Sequence, residues 1–208
     1  IKENITNDKK FIYAIPLKNT LNDFKNKLLK NLSTEVQNKV FVLKSISDEL
    51  IEWYESSERD KIFCFSDYKE FKKLLTILES YKIFKENKSL NNFDENELNK
   101  AGGLLLNKIK KQYFDYKDNK KLKDNLLKDA KILFKSLDIE KYTIILTTAS
   151  KFANKINTIS SSSYLWDFKK FKNALVFLDE FDSQKHYYLD SIISKSLSTS
   201  IDIIELFR

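Results

Sequence analysis

Residues 173–185, with the sequence NALVFLDEFDSQK, place three acids directly after an apolar run. Residues 175–178 are all apolar, and Asp179, Glu180 and Asp182 follow at once. A short unbroken apolar run next to polar residues is typical of a strand that is buried on both faces of a sheet. The carboxylates are therefore expected at the carboxyl end of a buried strand.

Three further apolar runs predict strands of the same kind, and each is followed by apolar residues at helical spacing: residues 11–15, 40–43 and 142–146. Parallel strands need helical crossovers, so strands that alternate with helices predict a parallel sheet. A single Pro and two Gly leave little turn chemistry for a fold made of many short strands. The fold class predicted is therefore α/β, with a parallel sheet flanked by helices.

A long middle segment has a different pattern and predicts a helical insertion. Between residues 56 and 137, apolar residues recur at steps of three and four with Lys and Glu between them. The predicted organisation is a first part of the α/β core at 1–55, a large all-helical insertion at 56–137, and a return to the core at 138–208. Gly102 and Gly103 are predicted to mark a packing contact or a bend in a helix.

Carboxylates at the carboxyl ends of parallel strands point into the crevice where such sheets bind ligands. Asp179 is a candidate ligand for Mg²⁺, and Glu180 is a candidate for orienting an attacking water. Asp182 is a candidate further carboxylate at the same metal site. The alternative is structural, because acids in the first turn of a helix are stabilised by its positive end.

The charge of the chain favours an anionic partner without identifying it. The net charge is +7, and nearly all of the basic residues are Lys, with Arg only at positions 59 and 208. Residues 110–121, KKQYFDYKDNKK, interleave aromatic residues with Lys, as surfaces that bind single strands do. Two interpretations stay open, a nucleic-acid face and a solvated Lys-rich surface with aromatic residues that pack between helices.

Three segments together resemble the first RecA-like lobe of DEAD/DEAH-type helicases. LVFLDEFD resembles the Walker B segment of P-loop ATPases. In AIPLKNTL, Pro16 and Lys18 stand where the family has a Pro-x-Arg/Lys motif that contacts the nucleic-acid backbone. In ILTTASKF, Thr147 and Thr148 stand where it has a Thr-rich motif that contacts phosphates. The resemblance implies a RecA-like sheet, with Glu180 as the catalytic carboxylate.

The resemblance covers roughly residues 10–55 and 138–195 and lacks one central part. The sequence contains no G-x-x-x-x-G-K-[ST] loop, which cradles nucleotide phosphates in that family. The chain starts at Ile1 and contains no Met, from which we expect a piece of a longer protein whose phosphate-binding loop precedes it. The implied function is a fragment of a nucleic-acid-dependent ATPase, inactive alone. ATP and Mg²⁺ are expected in the complete parent, and no cofactor is expected for this chain by itself.

Two other classes of function remain open. The Walker B-like segment would also suit an AAA+ ATPase, and a non-enzymatic helical interaction module would use the acids only as a helix cap. The expected partners are single- or double-stranded nucleic acid, together with the missing loop segment and the second lobe of the parent. No apolar run is long enough to span a membrane, so no membrane partner is expected. A cytoplasmic location is expected, and the alternative is a secreted bacterial effector that acts in a host cell.

The only cysteine and the only histidine offer little catalytic chemistry. Cys64 lies among apolar residues in KIFCFSDY and is predicted to fill space in the core. His186 is predicted to be a solvent-facing helix residue. One Cys and one His cannot complete a tetrahedral zinc site, so zinc is not expected.

Overall fold

The computed structural model describes residues 10–159, 162–165, 171 and 173–179, and these residues divide into two units. The sheet unit contains the described residues up to Leu43, then Glu140–Ile156 and the residues described from Ser162 onward. The helical unit contains Lys44–Ile139 and the described part of Asn157–Ser161.

The described strands belong to two sheets. They are β1 Phe11–Ile15, β2 Val40–Val42, β3 Ile144–Thr148, β4 Ile156–Asn157, β5 Ser162–Ser163 and β6 Leu175–Leu178. The larger sheet has the order β2, β3, β1, β6, and all of its pairings are parallel. The two-residue strands β4 and β5 form the second sheet. The predicted α/β class with a parallel sheet is confirmed.

The position of each strand in the sheet explains its burial. β1 lies between β3 and β6, and all five of its residues are buried. β6 was expected to be buried on both faces, and this expectation is wrong. It is the last strand of the described sheet, where Leu175, Val176 and Phe177 are 47%, 42% and 43% exposed. A strand with a neighbour on one side only is covered less completely than a central one.

The described α-helices are α1 Lys18–Lys30, α2 Thr34–Gln37, α3 Ile46–Tyr54, α4 Lys69–Glu86, α5 Glu95–Asp115, α6 Lys120–Leu133 and α7 Ala149–Phe152. In the sheet unit, α1 packs Leu21, Phe24 and Leu28 against Tyr13 and neighbouring strand residues. Burying a side chain such as Leu21 contributes about 2 kcal/mol. None of the described helices is both long and apolar enough to cross a membrane.

The helical unit is larger than predicted at its amino-terminal end. Its boundary lies at Lys44 where the sequence indicated residue 56, because α3 belongs to the helical core. Leu50 and Trp53 of α3 are 0% and 1% exposed, in a cluster formed with α4, α5 and α6. A capping box at Ser45 starts α3, since its hydroxyl accepts from the Asp48 N–H and the Asp48 carboxylate accepts from the Ser45 N–H. The boundary depends on these tertiary contacts.

The two glycines of α5 predict opposite effects on stability. A Cβ at Gly102 would lie 2.4 Å from Ile46 Cγ2 and 2.6 Å from Leu50 Cδ1, whereas a Cβ at Gly103 would meet nothing within 4 Å. The predicted packing contact is therefore confirmed at Gly102.

We expect Gly102→Ala to lower the free energy of unfolding by about 1–3 kcal/mol, because α3 must shift. Gly103→Ala should raise it by about 0.5–1 kcal/mol through helix propensity. Urea denaturation of both variants tests the pair, and equal effects would contradict it.

Candidate nucleic-acid interface at the carboxyl edge of the sheet

The strand β1 delivers two of the predicted site residues directly to the carboxyl edge of the sheet. Pro16 follows Ile15, the last residue of β1, and Lys18 is the first residue of α1. Leu17 occupies the N-cap position with no side-chain capping bond, and the first turn of α1 contains no acid. The first N–H groups of a helix lack partners within it and carry partial positive charge. This end of α1 and the exposed Lys18 together favour an anion.

The neighbouring strand β3 separates the two threonines, which the sequence treated alike. Thr148 ends β3 and is the N-cap of α7, where its hydroxyl oxygen accepts from the Lys151 N–H at 3.4 Å. Thr147 is 0% exposed, and its hydroxyl donates to the Thr148 carbonyl at 3.3 Å. The first four residues of β3 are all buried, and Thr148 is less buried because it ends the strand. Thr148 is thus placed at the edge, while the side chain of Thr147 is enclosed beneath it.

The other neighbour of β1 brings the first acid to the same edge. Asp179 directly follows β6, is exposed, and donates its backbone N–H to the Ala14 carbonyl at 2.9 Å. Ala14 pairs with Leu178, and Ile15 pairs with Thr148, so these strands end level with each other. Adjacent strands lie about 4.8 Å apart, which separates the backbones at Thr148 and Asp179 by roughly 10 Å. Glu180 and Asp182 lie outside the described residues.

The donor set at this edge is compatible with Mg²⁺. Magnesium is usually held by one or two carboxylates together with waters and substrate phosphates. Asp179 supplies one exposed carboxylate at the end of its strand. Among the residues that the structure describes, no group of three or more His, Cys, Asp or Glu side chains forms a metal site. A metal here would therefore depend on Asp179 with groups beyond the described chain.

A buried tyrosine, which the sequence did not single out, supports the strand that carries Asp179. The Tyr13 ring stacks on Phe177 of β6, with the ring centroids 4.6 Å apart and the planes at 7°. The Tyr13 hydroxyl is buried and has no hydrogen-bond partner among the described residues, and burial raises the pKa of Tyr13. Only its position within the apolar run FIYAI could have identified it. The stack holds β6 beside β1 and so helps to position Asp179.

Cys64 was predicted to fill space in the core, and this prediction is wrong. Phe63 and Phe65 are 3% and 0% exposed and stack 5.2 Å apart, whereas Cys64 between them is exposed. Partial burial of the thiol, and then the carboxylate of Asp129, raise the pKa of Cys64 to about 11. The thiol is therefore protonated at neutral pH and is a poor nucleophile. His186 lies outside the described residues.

Comparison with known proteins does not assign the chain to a family. No family model matches the chain. No curated protein matches it either.

Proposed function

We propose that this chain is part of a nucleic-acid-dependent ATPase of the helicase type, with a RecA-like sheet whose carboxyl edge serves both ligands. The observation that carries the proposal is the convergence of Lys18, Thr148 and Asp179 at the level ends of three adjacent parallel strands. These residues come from three separate segments of the sequence. The basic and hydroxyl groups on one side suit a phosphate backbone. The carboxylate on the other side suits a metal-bound nucleotide.

The nucleic-acid side of the edge would bind phosphates without reading bases. Lys18 supplies a point charge, and the amino-terminal turn of α1 supplies N–H groups that no N-cap side chain occupies. Thr148 adds a hydroxyl on the next strand. Contacts of this kind fix the position of a strand and carry no sequence information. The proposed partner is therefore a phosphate backbone, in single- or double-stranded form.

The nucleotide side of the edge would use Asp179 toward Mg²⁺, with Glu180 orienting the attacking water and Asp182 as a further carboxylate. The ion would neutralise charge on the phosphates of ATP, and the protein would contribute position and electrostatics. A phosphate-binding loop is not part of this sequence, so the loop must come from elsewhere in the parent. The chain alone is accordingly proposed to bind nucleic acid without hydrolysing ATP.

Lys18→Glu is expected to weaken oligonucleotide binding and to reduce its dependence on salt. The exchange removes one phosphate contact and places a carboxylate at the positive end of α1. For single strands, the slope of log affinity against log salt concentration should become shallower by about 0.7. Fluorescence anisotropy with a labelled oligonucleotide between 50 and 200 mM salt, single- and double-stranded, measures both quantities.

Lys27→Glu is the matched control for this experiment. Lys27 is exposed in the last turn of the same helix, about 13 Å along its axis from Lys18. The same charge reversal there should leave the salt slope nearly unchanged. If both variants lower affinity equally, the binding is a general effect of net charge. If neither does and binding ignores salt, the carboxyl edge is not a phosphate site, and a non-enzymatic interaction module is the better interpretation.

A further inference from the structure

One end of the helical unit concentrates the positive charge of the protein. Residues 108–123, here called the α5–α6 tip, include the carboxyl-terminal turns of α5, the connecting turn and the first turn of α6. This segment contains seven Lys and two Asp. Its surplus of five positive charges compares with a net charge of +7 for the whole chain. The tip is therefore a strongly basic part of the helical unit.

Four lysines of the tip have no carboxylate partner among the described residues. Within the described residues, no carboxylate lies in ion-pair distance of the tip lysines 111, 117, 120 and 121, all of which are exposed. Elsewhere in the unit, Lys44 lies 2.7 Å from Glu52 and Lys131 lies 2.6 Å from Asp138. The tip instead brings four lysines without a described carboxylate partner together within eleven residues.

Two of these lysines occupy positions that reduce local stability. Lys117 follows α5 with φ of 42°, in the left-handed region that glycine usually fills after a helix. Lys120 starts α6, whose first turn contains no acid, so the cation faces the positive end of a helix. Each arrangement is unfavourable by itself. An external anion that binds these side chains would offset that cost.

Exposed aromatic surface accompanies the charge. The Phe114 side chain is 55% exposed near the end of α5. Its ring packs edge-on against Tyr113 at 5.8 Å, and the Lys123 ammonium lies 5.3 Å from the centre of the Tyr113 ring. The neighbouring ring fixes Phe114 while one side of Phe114 faces solvent. An aromatic face beside several cations is the combination that holds unpaired bases and their phosphates.

We propose that the α5–α6 tip binds single-stranded nucleic acid, with its unpaired lysines on the phosphates and Phe114 stacked on a base. A duplex already stacks its bases, so it would leave Phe114 unused. An anionic membrane would need a longer apolar face than Phe114 and the 40% exposed Leu122 provide. The tip belongs to the helical unit and does not depend on the proposed ATPase chemistry. It assigns the helical insertion a binding role of its own.

The first test uses two identical exchanges at the ends of two helices. Lys117→Gly removes one tip charge, and Lys88→Gly removes one after α4, where φ is 53°. Both exchanges replace a lysine of positive φ by glycine, which adopts this backbone conformation without strain. Neither exchange should therefore unfold the protein. With a labelled 20-nucleotide oligo-dT, Lys117→Gly should lower affinity and make the salt slope shallower by about 0.7. Lys88→Gly should change neither, and equal effects from the two variants would overturn the proposal.

The second test examines stacking. Phe114→Ala should weaken oligo-dT binding about tenfold while leaving the affinity for a 20-base-pair duplex nearly unchanged. Ile83→Ala, at a residue of α4 that is 57% exposed, is the control for loss of exposed apolar surface. Undiminished oligo-dT binding by Phe114→Ala would overturn the proposal, as would binding to anionic phospholipid vesicles in place of oligo-dT. Loss of binding by Lys18→Glu alone, with the tip variants unaffected, would support the sheet edge and reject the tip.

Discussion

Glu180→Gln should abolish most ATP hydrolysis by the complete protein that contains this chain and a phosphate-binding loop. The proposed role of the carboxylate is to orient and deprotonate the attacking water, a function that an amide of the same shape cannot perform. Removing a general base lowers rates by about 10²- to 10⁴-fold. The rate of phosphate release with and without single-stranded nucleic acid measures the effect, and nucleotide binding should persist.

Glu79→Gln provides the control for the Glu180 exchange. Glu79 is exposed on α4, in the helical unit, and the same loss of one carboxylate there should leave hydrolysis unchanged. Nucleic-acid-stimulated hydrolysis that survives in Glu180→Gln would contradict the assignment of the DEFD segment as a Walker B motif. The acids after β6 would then be left with the role of a helix cap.

The strands were predictable because their signals are local. Apolar runs at residues 11–15, 40–43 and 142–146 correspond to β1, β2 and β3, and residues 175–178 correspond to β6. The order of the strands was not predictable, since it depends on which crossovers pack together. Strand order also determines burial, so a run as apolar as that of β6 was assigned to the interior although it lies at the edge of the described sheet.

The sequence predicted which residues form the candidate site, but it did not predict how they are arranged in space. The motifs named Lys18, Thr148 and Asp179, and the structure brings them to one edge through the register of three strands. The motifs also named Thr147, which is enclosed with the three residues that precede it in β3. Motif matching alone does not distinguish these two threonines.

The binding role proposed for the α5–α6 tip could not be predicted from the number of charged residues. The sequence could not distinguish a binding face from a solvated Lys-rich surface, because ion pairing depends on which carboxylates come near after folding. Lys44 and Lys135 both approach Glu52, at 2.7 Å and 3.2 Å, from separate segments. Lysines 111, 117, 120 and 121 of the tip have no such neighbours among the described residues. The informative quantity is therefore the position of the unpaired charge.

Glu49→Ala should destabilise the helical unit more than the other stability exchanges predicted here. Glu49 of α3 is 2% exposed, and its two carboxylate oxygens accept the Ser136 N–H at 2.8 Å and the Ser136 hydroxyl at 3.0 Å. Alanine would leave both donors without these acceptors. Hydrogen bonds to a charged group contribute about 1.5–3 kcal/mol each, so we expect the free energy of unfolding to fall by about 3 kcal/mol. Urea denaturation followed by tryptophan fluorescence measures this loss.

Glu49→Gln separates hydrogen bonding from charge at the same position. The glutamine carbonyl can accept the Ser136 N–H, and its amide can donate to the Ser136 hydroxyl oxygen, so both contacts survive in altered form. The loss should then stay below about 1 kcal/mol, and the exchange Glu79→Ala on exposed α4 surface should change stability by less than about 0.5 kcal/mol. If Glu49→Ala lowers the free energy of unfolding no more than Glu49→Gln does, the two hydrogen bonds of the carboxylate only offset the free energy of burying its charge. The contact between α3 and the segment after α6 would then depend on apolar packing alone.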